Sequence, residues 1–136
     1  MISAARLSVY SPWALAALRI ITALLFLSHA LVKLLGFPPG AQPGPQPLLG
    51  LLGIAAVIEL VTGILILFGW LTRPAAFVAA GEMAVAYWLF HAPNNFYPVL
   101  NMGEAAILFC FIFLYLVFAG PGALSIDARA RLTGQA

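Results

Sequence analysis

Four apolar stretches are the feature that most constrains the fold, since each approaches the roughly 20 residues that a helix needs to cross a bilayer. They cover about residues 13–35, 48–70, 74–91 and 99–119. Charged residues make up only 7% of the sequence, against roughly 25% in soluble domains. So few charges could not cover the surface of a 14.5 kDa globule in water. We therefore predict an all-α polytopic membrane protein, with an antiparallel four-helix transmembrane bundle that forms one domain over residues 1–136.

Proline and glycine clusters separate the four stretches. Residues 36–47 (GFPPGAQPGPQP) contain five prolines and three glycines, which favour an extended loop outside the hydrocarbon. The turn at residues 71–74 is so short that the second and third helices must be antiparallel neighbours. Gly-Pro-Gly at residues 120–122 ends the fourth helix. In the tail over residues 120–136, Ser125 is a candidate N-cap of a short surface helix.

The distribution of Lys and Arg predicts the orientation, because cytoplasmic loops carry an excess of these residues. Four arginines lie on the side that both termini share with the second loop: Arg6, Arg73, Arg129 and Arg131. The opposite side has Lys33. We therefore expect a multi-pass protein with both termini, and the tail over residues 120–136, in the cytoplasm.

The sparse charges and the single cysteine exclude several classes of function. The formal net charge is +2 without a clustered basic patch, so nucleic acid is not an expected partner. Cys110 alone can form neither an internal disulfide nor a CxxC redox pair. We expect it to be a small hydrophobe that is buried or faces lipid. Membrane lipids are the partners that the composition implies.

Seven ionisable side chains fall within or at the ends of the predicted spans, where an ionised group costs at least about 2.5–3.5 kcal/mol at mid-depth. They are Arg19, His29, Lys33, Glu59, Glu82, His91 and Glu104. The three on the first helix recur at helical spacing and share one face with Thr22 and Phe26. We expect this face to point into the bundle.

Depth along each helix, counted at about 1.5 Å per residue from the cytoplasmic end, predicts which groups meet. Arg19 and Glu82 fall at about 9 and 12 Å, which predicts a structural ion pair. Glu59 falls near mid-depth with no cation at its level. We expect its carboxyl group to be protonated, because burial disfavours the charged form.

The same count predicts a ligand pocket near the outer surface, although no catalytic residue can be assigned. The count brings four ionisable groups to this level: His29, Lys33, His91 and Glu104. The predicted pocket also includes Asn101, which is three residues from Glu104 and shares a helical face with it, and Glu59 nearer mid-depth. The alternative is an interfacial hydrogen-bond network without a ligand. Two histidines on different helices could ligate a haem, and a His/His/Glu set could bind a metal, but the histidines lack a ligand-spacing motif and we expect neither.

Small residues recur every fourth position on the third helix, at Ala76, Ala80 and Ala84. Such a ridge lets two helices approach closely. It predicts either packing inside the bundle or the seam of a homo-oligomer.

Short motifs follow one another in a fixed order along the chain. They are Arg19 followed by Ser28-His29-Ala30-x-x-Lys33-Leu34-x-Gly36-Phe37, then Glu59-Leu60-x-x-Gly63, Gly69-x-x-Thr72-Arg73, Asn101-x-Gly103-Glu104 and Gly120-Pro121-Gly122-x-x-Ser125-x-Asp127. In this order and spacing they resemble the DoxX family of small four-helix bacterial membrane proteins, over nearly the whole chain. Ala30 stands where the family often has glycine.

The resemblance implies a location in the bacterial inner (cytoplasmic) membrane. Some members are linked to thiosulfate:quinone oxidoreductase, and others to a membrane assembly with superoxide dismutase and a sulfurtransferase. On this basis we expect a subunit or anchor of a membrane redox or thiol-stress system, with a polar pocket near the periplasmic side.

That pocket would receive a quinone or a small sulfur species, and the electrons would come from a bound quinone or from a redox partner protein. If the chain is an enzyme, the resemblance implies an oxidoreductase subunit. The alternative is a small-molecule or lipid binding protein, or a carrier.

Overall fold

The computed structural model describes residues 4–134, and the regular structure in this range is entirely helical. The helices are α1 (Ala4–Ser8), α2 (Ser11–Leu35), α3 (Leu51–Phe68), α4 (Thr72–Ala86), α5 (Pro98–Asn101), α6 (Glu104–Ala119) and α7 (Ile126–Leu132). A π-helical segment, Tyr87–His91, continues α4. The predicted all-α class is confirmed.

Two of these helices, α2 and α3, are long and apolar enough to cross a membrane by length and composition, and α6 is a shorter apolar helix. The structure differs from the predicted fourth stretch, because α6 begins at Glu104 rather than near Val99. Met102 has a left-handed backbone conformation (φ 59°), and the side chain of Asn101 accepts the backbone N–H of Gly103 at 2.7 Å. The same N–H also donates to the carbonyl of Pro98 at 3.2 Å, and neither bond is the one that would continue the helix.

The hydrophobic core lies where α2, α4 and α6 converge, and it also includes Ile66 of α3. Phe26 packs edge-on against Phe113 with ring centroids 4.8 Å apart. Ala76 and Ala80 belong to the same buried cluster. At these two positions the small residues therefore pack within the molecule, where they let neighbouring side chains approach α4.

The two faces of α3 have the opposite polarity to those of a helix in a soluble protein. Its exposed face is aliphatic and aromatic at helical spacing, with Leu51, Ile54, Val57, Val61, Ile64 and Phe68. Its buried face carries Glu59 and Thr62. A helix that exposes its large apolar side chains and buries its carboxyl group is suited to lipid surroundings.

Arg19 is completely buried and connects three parts of the chain at one end of the molecule. Its guanidinium donates hydrogen bonds of 2.5–3.3 Å to the backbone carbonyls of Ile66, Leu67, Pro121, Ala123 and Leu124. The first two carbonyls belong to the last turn of α3, where carbonyls lack partners within the helix. One side chain on α2 thus joins the end of α3 to the loop after α6.

At this end α2 projects well beyond α3. A methyl group added at Gly63 would lie 2.7 Å from Leu27 Cδ2, so α2 and α3 are in close contact there. Gly63 is about 7.5 Å from the end of α3, whereas Leu27 is about 24 Å from the beginning of α2. The projecting turns of α2 contact the loop after α6, whose Ala123 N–H donates to the carbonyl of Pro12 at 2.9 Å.

The predicted ion pair between Arg19 and Glu82 is wrong. The Arg19 donors point at carbonyls, and both carboxyl oxygens of Glu82 are buried without a hydrogen-bond partner among the described residues. The prediction assumed that all helices begin at one level. Because α2 projects beyond α3, Arg19 lies level with the end of α3 instead.

Side chains from α4 and α7 complete this end of the molecule. Asp127 accepts the backbone N–H groups of Leu71 and Thr72, at 3.0 and 2.9 Å, where α4 begins. Arg73 donates to two carbonyls in the last turn of α6. The negative Asp127 therefore faces the positive end of the α4 dipole, and the positive Arg73 faces the negative end of the α6 dipole. The predicted N-cap is also confirmed, since Ser125 Oγ accepts the N–H of the third residue of α7 at 3.1 Å.

We expect Arg19→Met to lower the free energy of unfolding by about 3 kcal/mol or more, since each buried carbonyl left without a donor costs about 1–3 kcal/mol. Unfolding in detergent measures this, and Arg6→Met, at an exposed position, should have little effect. In a double-mutant cycle the effects of Arg19→Met and Glu82→Gln should add to within about 0.5 kcal/mol. A larger coupling energy would show that Arg19 and Glu82 do interact as an ion pair.

A second prediction concerns Asp127, which lies outside the apolar helices. Burial by itself raises the pKa of this carboxyl, but the backbone N–H groups of Thr72 and Leu71, with the charge of Arg131, bring the pKa below its ordinary value. The native state therefore binds the proton less tightly than the unfolded chain. Its contribution to stability is full at neutral pH and is lost as the pH falls below about 4.

Asp127→Ala should accordingly lower the free energy of unfolding by about 0.5–2 kcal/mol at pH 7, the usual range for loss of a helix cap. The difference between the two proteins should shrink as unfolding is followed from pH 7 to pH 3. A difference that does not change with pH would contradict a role for the carboxylate charge.

Candidate functional site

A buried ion pair joins α2 to α3. Lys33 Nζ lies 2.5 Å from Glu59 Oε1, and the Glu59 side chain is only 1% exposed. The two helices run in opposite directions, and helical side chains lean toward the N-terminus of their own helix, so these two lean toward each other. From the contact of Gly63 with Leu27, their Cα atoms differ in level by about 3 Å. The expectation that Glu59 has no cation at its level is therefore wrong.

Glu82 on α4 adds a second carboxyl group to this pair, within electrostatic range of both Glu59 and Lys33. We call Lys33, Glu59 and Glu82 the carboxylate cluster. Both oxygens of Glu82, and Oε2 of Glu59, are buried and accept no hydrogen bond from the described residues. A buried polar atom without a partner costs about 1–3 kcal/mol. Three such atoms in one cluster call for a donor that these residues do not supply.

An apolar groove between α3 and α4 leads to Glu82. Its volume is about 370 Å³, and among the described residues that line it Glu82 alone is ionisable. The walls include Ile54, Phe77 and Val85, whose side chains are at least half exposed at the outer surface. Gly81 also lines the groove, where its missing side chain leaves open space. The groove can therefore be reached from the side that faces the surroundings.

The seam between α3 and α4 continues toward the turn that joins them. Beyond Ile58 and Val78 there is a second groove of about 420 Å³, lined by apolar residues and Thr62. Ile58 and Val78 line both grooves. The seam thus has room for an apolar body, with a carboxyl group at one place along it.

Two predicted pocket residues lie at a turn instead of in the carboxylate cluster. His91 Nδ1 lies 3.0 Å from the backbone oxygen of Asn101, and its ring stacks on Tyr87 with centroids 6.4 Å apart. The Asn101 side chain is buried and donates to the carbonyl of Asn95 at 2.8 Å. These contacts close the connection between the π-helical segment and α6.

Two other predicted pocket residues lie on the outside. The His29 ring meets Phe109 edge-on, with centroids 5.7 Å apart. Glu104 is exposed at the first position of α6, where a carboxylate complements the helix dipole. Asn101 and Glu104 were expected to share a helical face. They do not, because the left-handed Met102 separates their helices.

Of the predicted pocket, the structure thus brings together Lys33 and Glu59 and adds Glu82, which the sequence analysis assigned to a structural pair. A signal for Glu82 was present in the sequence. Apolar residues flank it at positions −4 and +3, Val78 and Val85, so it borders the exposed apolar face of α4. Among the described residues, no three His, Cys, Asp or Glu side chains form a group that could hold a metal ion.

The fold and the site define a small helical membrane protein with apolar surfaces outside and ionisable groups inside. The sequence model of the DoxX family matches residues 14–92, more than half of the chain. The chain therefore belongs to the DoxX family, as its motifs indicated.

Relatives extend over most of the chain. It is 43% identical over 128 residues to an uncharacterized protein of Haemophilus influenzae, covering 90% of this chain and 95% of that protein. It is 33% identical over 128 residues to the inner membrane protein YphA of Escherichia coli, covering 82% and 86%. To the inner membrane protein YqjF of the same organism it is 32% identical over 118 residues, covering 80% and 85%. No solved structure matches the chain.

A third prediction tests the ion pair. Lys33→Met should lower the free energy of unfolding by about 3–5 kcal/mol, because it leaves the Glu59 carboxylate buried without its cation. The double variant Lys33→Met with Glu59→Leu should be less damaging, since it removes both charges. Unfolding in detergent checks both. Equal damage from the single and double variants would contradict the pair.

Proposed function

We propose that this DoxX protein is an integral inner-membrane protein that binds a lipid-soluble small molecule in the groove between α3 and α4. In this proposal α2, α3, α4 with its π-helical continuation, and α6 cross the membrane as an antiparallel four-helix bundle. Both termini are cytoplasmic, because Arg6, Arg73 and the two arginines of α7 lie at that side. The relatives named as inner membrane proteins support the location.

The observation that carries the binding proposal is an apolar groove lined by Glu82, whose two carboxyl oxygens are buried without a donor among the described residues. Small-molecule sites are concave and mostly apolar, with a few polar groups that fix orientation, and have volumes of about 300–1,000 Å³. Ionisable groups inside a membrane protein are costly and commonly mark ligand or proton pathways. Glu82 meets both descriptions, whereas a purely structural carboxyl group would have its hydrogen bonds satisfied.

A second candidate is a subunit or anchor of a membrane redox or thiol-stress system, in which a quinone occupies the groove. Reduction of a quinone to its quinol takes two electrons and two protons. Glu82 lines the groove, where its carboxyl group could pass protons to a head group. The electrons would come from a redox partner protein, because Cys110 alone offers no dithiol pair. The family resemblance supports this candidate.

The test is purification of the full chain from inner membranes, followed by mass spectrometry of the molecules that come with it. We expect a lipid-soluble small molecule with the native protein, and at least tenfold less with Gly81→Leu. The added side chain would fill the groove where glycine leaves space, and it also favours the helix. Ala105→Leu, at an exposed position of α6, is the matched control.

The contents of the eluate separate the candidates. A quinone and a redox protein that are lost with Gly81→Leu would support the second candidate. Another lipid-soluble molecule that is lost in the same way would support binding without redox chemistry. Structural phospholipids alone, in equal amounts from all three proteins, would contradict the binding proposal.

A further inference from the structure

The carboxylate cluster contains more hydrogen-bond acceptors than donors. Its two carboxylates and one ammonium carry one net negative charge when all are ionised. Lys33 is held by Glu59 at 2.5 Å, so the carboxyl group of Glu82 is left without a cation or a donor among the described residues. A ligand that brings both would remove the cost of burying that group.

We infer that the ligand of the groove is a lipophilic amine, bound as its ammonium ion. This inference rests on the proposed function and names the chemical class of its ligand. The ammonium group lies against the Glu82 carboxylate, and the apolar body lies between α3 and α4. An ammonium offers up to three donors and no acceptor, which complements the two unpartnered oxygens of Glu82.

The walls of the groove favour the same ligand. The rings of Phe77 and Phe90 are among the lining residues, and aromatic faces attract cations in desolvated sites. Gly81 precedes Glu82, and the space beside it admits a bulky body next to the carboxylate. The volume of about 370 Å³ suits a compact molecule.

Other occupants complement the site less well. An acyl chain of a lipid would cover the apolar walls but would leave the Glu82 oxygens without donors. A phospholipid with an amino head group keeps its ammonium at the membrane surface. Glu82, by contrast, lies ten residues, or about 15 Å, along α4 from Thr72. A carbonyl or carboxylate head would add acceptors to a site that already has an excess.

Binding of three probes with the same apolar cage tests the inference: 1-adamantylamine, 1-adamantanol and 1-adamantanecarboxylate. Equilibrium dialysis with the purified full chain in detergent at pH 7 gives a Kd for each. We expect the amine to bind at least tenfold more tightly than the alcohol, and the carboxylate most weakly. Glu82→Gln should abolish the preference for the amine. Glu104→Gln, which changes an exposed carboxylate at the start of α6, should keep it.

Gly81→Leu makes the test independent of whether Glu82→Gln folds. It leaves the carboxylate in place but fills the groove, so all three probes should be lost. If the native protein binds all three probes equally and Gly81→Leu binds none of them, the inference of an amine ligand is overturned, while the groove remains a binding site. Amine binding that persists in Gly81→Leu, or tighter binding of the carboxylate, would also overturn the amine. If no probe binds the native protein, the amine inference fails, while the proposed function is decided separately by the molecules that co-purify with the native protein and with Gly81→Leu.

Discussion

The guanidinium of Arg19 among five backbone carbonyls is the interaction on which the rest of the structure depends. Five N–H donors meet five acceptors, so a buried charge is solvated by the backbone itself. The carbonyls at the end of α3 also carry the negative end of a helix dipole. Glycine lets the loop after α6 approach the end of α3, since a methyl group added at Gly69 would overlap Ser125 Cβ. The interaction thereby fixes how far α2 projects beyond α3.

That offset determines what happens at the other end of α2. With Arg19 held at the end of α3, Lys33 comes level with Glu59 and forms an ion pair with it. Glu82 on the neighbouring α4 then has two charged groups within range but no donor of its own. Both features follow from the same register between α2 and α3. The donors of Arg19 all have acceptors, whereas the carboxyl group of Glu82 has no donor among the described residues. Stability concentrated in the first can offset the cost of the second.

Much of the fold could be predicted from the sequence, because hydrophobic length and turn residues act locally. Such signals predict the positions of α2, α3 and α4, the cap at Ser125 and the buried face of α2, except at His29, which is exposed. The register could not be predicted, since α2 has 25 residues and α3 has 18, and apolar length does not say where two unequal helices meet. Every error in pairing charges came from this offset. The break before Glu104 could not be predicted for another reason, because it depends on the left-handed Met102 and on the hydrogen bond that Asn101 Oδ1 accepts from Gly103.

The family motifs fall into two groups, one at the Arg19 end of the molecule and one at the ion pair of Lys33 with Glu59. Those around Gly69, Arg73 and Asp127 meet at the Arg19 end, where they bind backbone groups and hold helix ends together. The motif residues Lys33 and Glu59 place one ion pair beside the groove, whereas Glu82 and Gly81 belong to none of the motifs. The DoxX resemblance therefore accounts for a shared frame with a charged pair at a defined place. In the proposed function the groove is lined by residues outside these motifs, so membership in the family does not identify a ligand.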